Sequence, residues 1–105
     1  MRYEILFAPE AVLDLNSLSA FKRAQVRDAI ERHLRYEPTR VSKSRIKRLR
    51  GMRQPEYRLR VDEIRVFYDV GESTVEILAI VRKSETETWL RRKGILHEED
   101  RAHEN

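Results

Sequence analysis

Two alternating runs separated by only two residues, Tyr57-Arg58-Leu59-Arg60-Val61 and Ile64-Arg65-Val66-Phe67-Tyr68-Asp69-Val70, constrain this chain more than any other feature. Apolar residues at every second position are the period of a half-buried strand. Asp62 and Glu63 leave room for nothing longer than a tight turn, so the runs read as an antiparallel hairpin, although Asp-Glu lacks the glycine such turns prefer. The register follows: Val61 faces Ile64, Arg60 faces Arg65, and Leu59 faces Val66. Tyr57, Leu59 and Val61 then share one face, and Arg58, Arg60, Arg65 and Phe67 share the other. Like charges directly opposite each other on adjacent strands are destabilising. The Arg60 and Arg65 pair is therefore a cost that an anionic ligand would remove, unless Glu56 or Glu76 neutralises it.

The rest of the chain supplies elements to cover one face of that hairpin. Arg2 to Phe7 alternates loosely and reads as a first strand. Pro9 suits the first turn of a short helix reaching Leu18. Ser19 is placed to cap a longer helix ending near Tyr36, with Val26, Ile30 and Leu34 at four-residue spacing and Pro38 stopping it. Arg40 to Arg45 is a basic connection, Ile46 to Met52 a short strand stopped by Gly51, and Gly71 to Ser73 a turn. Thr74 to Val81 is nearly all apolar, as a central strand should be. Ser84 followed three residues later by Glu87 spells a capping box for a last helix, which ends on Arg91, Arg92 and Lys93 before Gly94. The order implies an α+β domain over residues 1–96, with about four mainly antiparallel strands packed by two N-terminal helices and one C-terminal helix. His97 to Asn105 reads as a polar, disordered tail.

Charge points to the partner. Between Arg40 and Tyr68 ten Lys or Arg stand against three acids, a local balance of +7 in a chain whose net charge is +4. Basic charge concentrated in one region is the footprint of a polyanion site, and nucleic acid is the first candidate. If the Val75 to Val81 strand lies beside the Ile64 to Val70 strand, Arg82 and Lys83 join the arginine cluster. Trp89 is then the large flat side chain near enough to stack on a base, or else an anchor against the sheet. Other chemistry is thinly represented. The chain has no cysteine, and His33, His97 and His103 are scattered without metal-ligand spacing, so neither metal nor cofactor is expected. There is no Gly-rich phosphate loop and no nucleophile-elbow motif. The N-terminus does not read as a targeting segment and no run is long enough to span a membrane, which suggests a cytoplasmic protein.

The run Leu49-Arg50-Gly51, then Glu56-Tyr57-Arg58-Leu59-Arg60-Val61, then Ile64-Arg65-Val66-Phe67-Tyr68, followed by an apolar strand, a basic pair and an aromatic in the last helix, resembles the RelE/ParE family of bacterial toxin–antitoxin systems. The resemblance covers about residues 2 to 92 in order of elements, the usual precision of such boundaries. It implies a small microbial-ribonuclease-type fold neutralised by a cognate antitoxin. RelE-like members cut messenger RNA on the ribosome without metal, whereas ParE-like members poison DNA gyrase. Carried over by position, the RelE pattern makes Arg58, Arg60, Arg65, Lys83 and Trp89 the catalytic set, with Lys43, Lys47, Arg48, Arg50, Arg53 and Arg82 holding ribosomal or messenger backbone. This sequence has arginines where the third strand usually carries lysines, a lysine for the later arginine, tryptophan for the catalytic tyrosine, and Asp62 where many members have glycine. The expected activity is thus a ribosome-dependent mRNA endonuclease acting through 2′-hydroxyl attack. The alternatives are a gyrase-directed toxin and a nonenzymatic RNA-binding module.

Overall fold

The hairpin forms as the alternation requires. In the computed structural model, which describes residues 1–97, β4 (Tyr57–Val61) and β5 (Ile64–Val70) pair with Val61 opposite Ile64, Arg60 opposite Arg65, Leu59 opposite Val66 and Arg58 opposite Phe67. Asp62 supplies the left-handed residue of the two-residue turn at φ 57°, a conformation aspartate tolerates better than most side chains.

Around this hairpin a five-stranded sheet assembles from β1 (Glu4–Phe7), β2 (Ile46–Arg48), β4, β5 and β6 (Thr74–Arg82), in the order β1-β6-β5-β4-β2. β2 runs antiparallel along β4, and β6 antiparallel along β5. β1 runs parallel to β6, from Glu4 opposite Thr74 to Phe7 opposite Ile77. Two helices, α1 (Pro9–Ser17) and α2 (Ala20–Leu34), cover one face. Ala11, Leu15, Val26, Ile30 and Leu34 meet Leu59, Val61, Val66, Tyr68, Val75 and Ile77 in a single core. Ser19 caps α2 by accepting the Lys22 N–H at 3.2 Å. Tyr68 stacks on Tyr57 with ring centroids 5.5 Å apart and donates its hydroxyl to the Pro38 carbonyl at 2.6 Å, closing the core beneath the chain that leaves α2. Where β1 ends, α1 seals the exposed edge of β6. The Ala8 N–H reaches Ile77 O at 2.9 Å, and the Asp14 carboxylate accepts the Ile80 N–H at 2.9 Å.

Three details differ from the sequence reading. The expected Ile46–Met52 strand divides at Gly51, which takes φ 70°. Its second half becomes β3 (Met52–Gln54), which leaves the main sheet and pairs with β7 (Ile95–Leu96), a strand too short to carry a periodic signal. The capping box does not form: the Lys83 N–H is drawn to Glu63 O at 2.7 Å, a 3₁₀ turn occupies Lys83–Glu85, and α3 (Thr86–Lys93) begins without a side-chain cap. Gly94 ends α3 for steric reasons, since a Cβ there would collide with the Met52 methyl and the Leu90 carbonyl. Of the expected polar tail, all but His97 lies outside the described residues.

Candidate nucleic-acid interface

The sheet face opposite α1 and α2 carries the basic cluster. Arg58, Arg60 and Arg65 share it because of the hairpin register, and Lys47 joins them because it pairs with Arg58. The Arg60 N–H donates across to Arg45 O at 2.8 Å. Arg60 and Arg65 therefore form a non-hydrogen-bonded pair, the closer of the two antiparallel spacings.

The three arginines are held differently. Arg65 is only 6% exposed, and its Nη1 donates to the carbonyls of Asp62 at 2.7 Å and Ile64 at 3.0 Å. It clasps the turn while its charge stays close to the others. Arg58 is half-buried, and its Nε is buried with no hydrogen-bond partner among the described residues. A buried donor left unpaired costs about 1–3 kcal/mol, so its position favours the arrival of an acceptor. Arg60 is exposed. Burial, then the charges of Arg65 and Arg60, pull the Arg58 guanidinium below its ordinary pKa. Burial and then Arg60 do the same to Arg65, with Glu63 pulling weakly the other way.

Of the two carboxylates that might have neutralised the cluster, Glu56 is committed elsewhere and Glu76 lies further along the sheet. Glu56 accepts the Val70 N–H at 3.0 Å and lies 3.8 Å from Arg48. Glu76 pairs with Asp69 toward the far end of the strands. Among the described residues no carboxylate makes an ion pair with Arg58, Arg60 or Arg65. The repulsion anticipated from the register is present, and Glu63 and Asp62 offset it only through space, without an ion pair to any of the three arginines.

The remaining candidates distribute around this face. Trp89 lies parallel to Phe67, the cross-strand partner of Arg58, with centroids 5.0 Å apart and planes 6° from parallel. Its indole N–H donates to the Glu10 carboxylate at 2.7 Å. One ring face is thus occupied and its one polar atom is engaged. Arg82 does not join the cluster as expected. The register sets it opposite Ile64, a core residue, and hence on the helix-covered side. With Lys83 it lines a cavity of about 580 Å³ at the turn end of the sheet, shared with Asp14, Lys22, Glu63 and Glu85. Arg48 is held over the Tyr57 ring, 5.2 Å from its centroid, and donates to the Tyr57 hydroxyl at 3.1 Å. Lys43 and Arg50 are exposed in the segments flanking β2, and Arg53 is exposed within β3. One contributor was read from the sequence only as part of the basic connection and not as a site residue: Arg45, whose backbone extends the ladder opposite Arg60, borders a cavity of about 310 Å³ with Ser44, Arg60 and Asp62. Continuing the strand register one residue before Ile46 would have found it.

A family model described as the ParE toxin of a type II toxin–antitoxin system, parDE, matches residues 5–87. The chain belongs to the RelE/ParE toxin family. Solved structures of RelE/ParE toxins share the fold. A variant of the E. coli toxin RelE with two arginines changed to alanine, in the free state, superposes with a TM-score of 0.65 at 21% identity, covering 89% of this chain and 99% of that one. A chain of the toxin–antitoxin complex RelBE2 from Mycobacterium tuberculosis gives 0.60 at 27% identity, covering 78% and 99%. The archaeal RelE–RelB complex from Pyrococcus horikoshii gives 0.60 at 27%, covering 79% and 97%. None of the curated proteins compared shows significant similarity. Among the described residues, no helix of this RelE/ParE toxin is long and apolar enough to cross a membrane.

Proposed function

We propose that this RelE/ParE toxin is an endoribonuclease that cuts messenger RNA on the ribosome, acting in the cytoplasm and restrained by a cognate antitoxin. The observation that carries the reading is the set of three guanidinium groups without ion-pair partners among the described residues, on the sheet face opposite α1 and α2 and beside the Phe67–Trp89 stack. Metal-independent cleavage requires the 2′-hydroxyl to attack the adjacent phosphate, charge to be stabilised on the pentacoordinate phosphorane, and a proton to reach the leaving 5′-oxygen. The products are a 2′,3′-cyclic phosphate and a free 5′-hydroxyl. Arg58, Arg60 and Arg65 meet the second requirement, because planar guanidinium forks grip phosphate oxygens bidentately and stay charged. The buried Arg58 Nε gains its missing acceptor in the same step. Lys47 and the exposed Lys43, Arg50 and Arg53 extend the basic track for flanking backbone. Lys83, which lines the cavity at the turn end of the sheet, completes the proposed set. Trp89 holds α3 against Phe67, and stacking on a base would use the ring face turned away from Phe67. The antitoxin follows from the solved relatives crystallised with RelB.

A second reading, a gyrase-directed toxin, is favoured by two observations. The matching family model is the ParE one, and the Trp89 indole nitrogen, on the ring stacked against the cross-strand partner of Arg58, is engaged by Glu10. The two readings separate in one pair of assays. Purified protein is added to ribosomes translating a defined message, and to gyrase with supercoiled plasmid. Primer extension should reveal cuts at fixed codon positions, lost in Arg60→Gln, while gyrase activity is unchanged. Intact message together with trapped plasmid breaks would reverse the assignment.

A further inference from the structure

We propose that Asp62 and Gln25 are positioning residues: together they anchor the β4–β5 turn to α2 and thereby hold Arg65, and with it the arginine face, in register for an RNA backbone. The inference rests on the reading that this face binds RNA. Asp62 stands at φ 57° where a glycine would be relaxed, so the choice of aspartate needs a compensating contact. Its side chain turns away from the ladder and toward α2: the carboxylate accepts from Gln25 Nε2 at 3.1 Å and lies 3.7 Å from Lys22 Nζ. The Gln25 hydrogen bond first, and the Lys22 charge next, hold the carboxyl below the usual carboxylate range. The same residue's carbonyl accepts from Arg65 Nη1 at 2.7 Å. Asp62 therefore joins a rigid helix on one side to a nearly buried arginine on the other. Arg65 has no such connection to α2 except through this turn among the described contacts.

A purely structural role and a positioning role predict opposite behaviour for Asp62→Gly. Glycine relieves the left-handed backbone, so stability should hold or rise. Removing an acid from a basic surface should by itself tighten RNA binding. A loss of affinity would therefore report displaced arginines. The probe is a fluorescein-labelled 12-nucleotide oligouridylate, read by anisotropy alongside thermal melting. D62G should melt at or above the wild-type temperature yet bind about fivefold more weakly, the scale on which residues remote from a ligand modulate its binding. D62N tolerates the same φ, keeps an oxygen for Gln25 and loses the same acid as D62G, so it should bind at least as tightly as wild type. Q25A, which changes no charge, should weaken binding as D62G does. Nitrogen-15 spectra supply a readout independent of RNA: the Arg65 Nε–H resonance should shift or broaden in D62G and Q25A and stay in place in D62N. Wild-type affinity together with an unmoved Arg65 resonance in D62G overturns the proposal. If the wild type fails to bind the oligonucleotide, the RNA reading falls, while the Arg65 resonance still decides whether the anchor positions the arginine.

Discussion

Replacing Arg60 by glutamine removes one member of a cation cluster that the fold leaves without an ion-pair partner among the described residues, and the structure says how much that should be worth. Arg60 faces Arg65 in a non-hydrogen-bonded pair and stands two residues from Arg58 on the same face. A like-charged cross-strand pair costs roughly 0.2–1 kcal/mol. With a second cation beside it, the total released by R60Q is about 1 kcal/mol, or roughly 4–8 °C in Tm for a domain of this size. Glutamine keeps the aliphatic stem, and Arg60 is exposed, so little packing is lost against that gain. The measurement is urea unfolding by far-ultraviolet circular dichroism at 0.15 M and 1 M salt. The Debye length falls from about 8 Å to about 3 Å between these conditions, so the advantage of R60Q should shrink at high salt. A variant less stable than wild type, or a gain indifferent to salt, would mean that Arg60 is compensated within the fold and that its charge needs no ligand.

Other consequences are sharper for single contacts. Trp89→Phe keeps the stack on Phe67 but removes the hydrogen bond to Glu10, and should lower stability by about 1 kcal/mol in denaturant unfolding. Trp89→Ala removes the stack as well and should lose about 3 kcal/mol; a smaller loss would show that α3 is docked by something else. Tyr68→Phe leaves the buried Pro38 carbonyl without its donor and should lose about 1–2 kcal/mol by the same assay. Burial raises the Asp14 pKa above its ordinary 3.8 despite the Ile80 N–H, with Glu10 and Glu85 adding to the rise. The folded state therefore binds that proton more tightly than the unfolded state, and the carboxyl's contribution falls as pH rises through the folded pKa. Asp14→Asn keeps an acceptor for Ile80, so its urea midpoint should exceed the wild type's at pH 7 by more than at pH 3. An equal difference at both would refute the burial argument.

The hairpin was legible because a two-residue gap between strict alternations leaves one register, and that register alone puts Arg58, Arg60 and Arg65 on one face. The α2 cap and core stripe were legible for the same local reasons, through Ser19 and through Val26, Ile30 and Leu34. Long-range backbone competition was not. The Ser84 and Glu87 pair spells a cap, yet the Glu63 carbonyl captures the Lys83 N–H and extends the ladder past it. β7 is two residues long and exists only because β3 lies across from it. Placing Arg82 needed the strand pairing, which shifts at an irregularity between Phe67 and Tyr68. The two roles of Arg65, clasp and cation, depend on the left-handed Asp62, and nothing in residue type alone announces that conformation.

The central claim is that the arginine face grips a nucleic-acid backbone, and the salt dependence of RNA binding tests it most directly. For single strands the slope of log affinity against log salt is about −0.7 per phosphate neutralised. Arg60→Gln should reduce the slope by about 0.7, and Arg58→Gln combined with Arg60→Gln by about 1.4, while Arg32→Gln, on α2 and paired with Asp28, leaves it unchanged. Equal slopes for all four proteins would contradict the account.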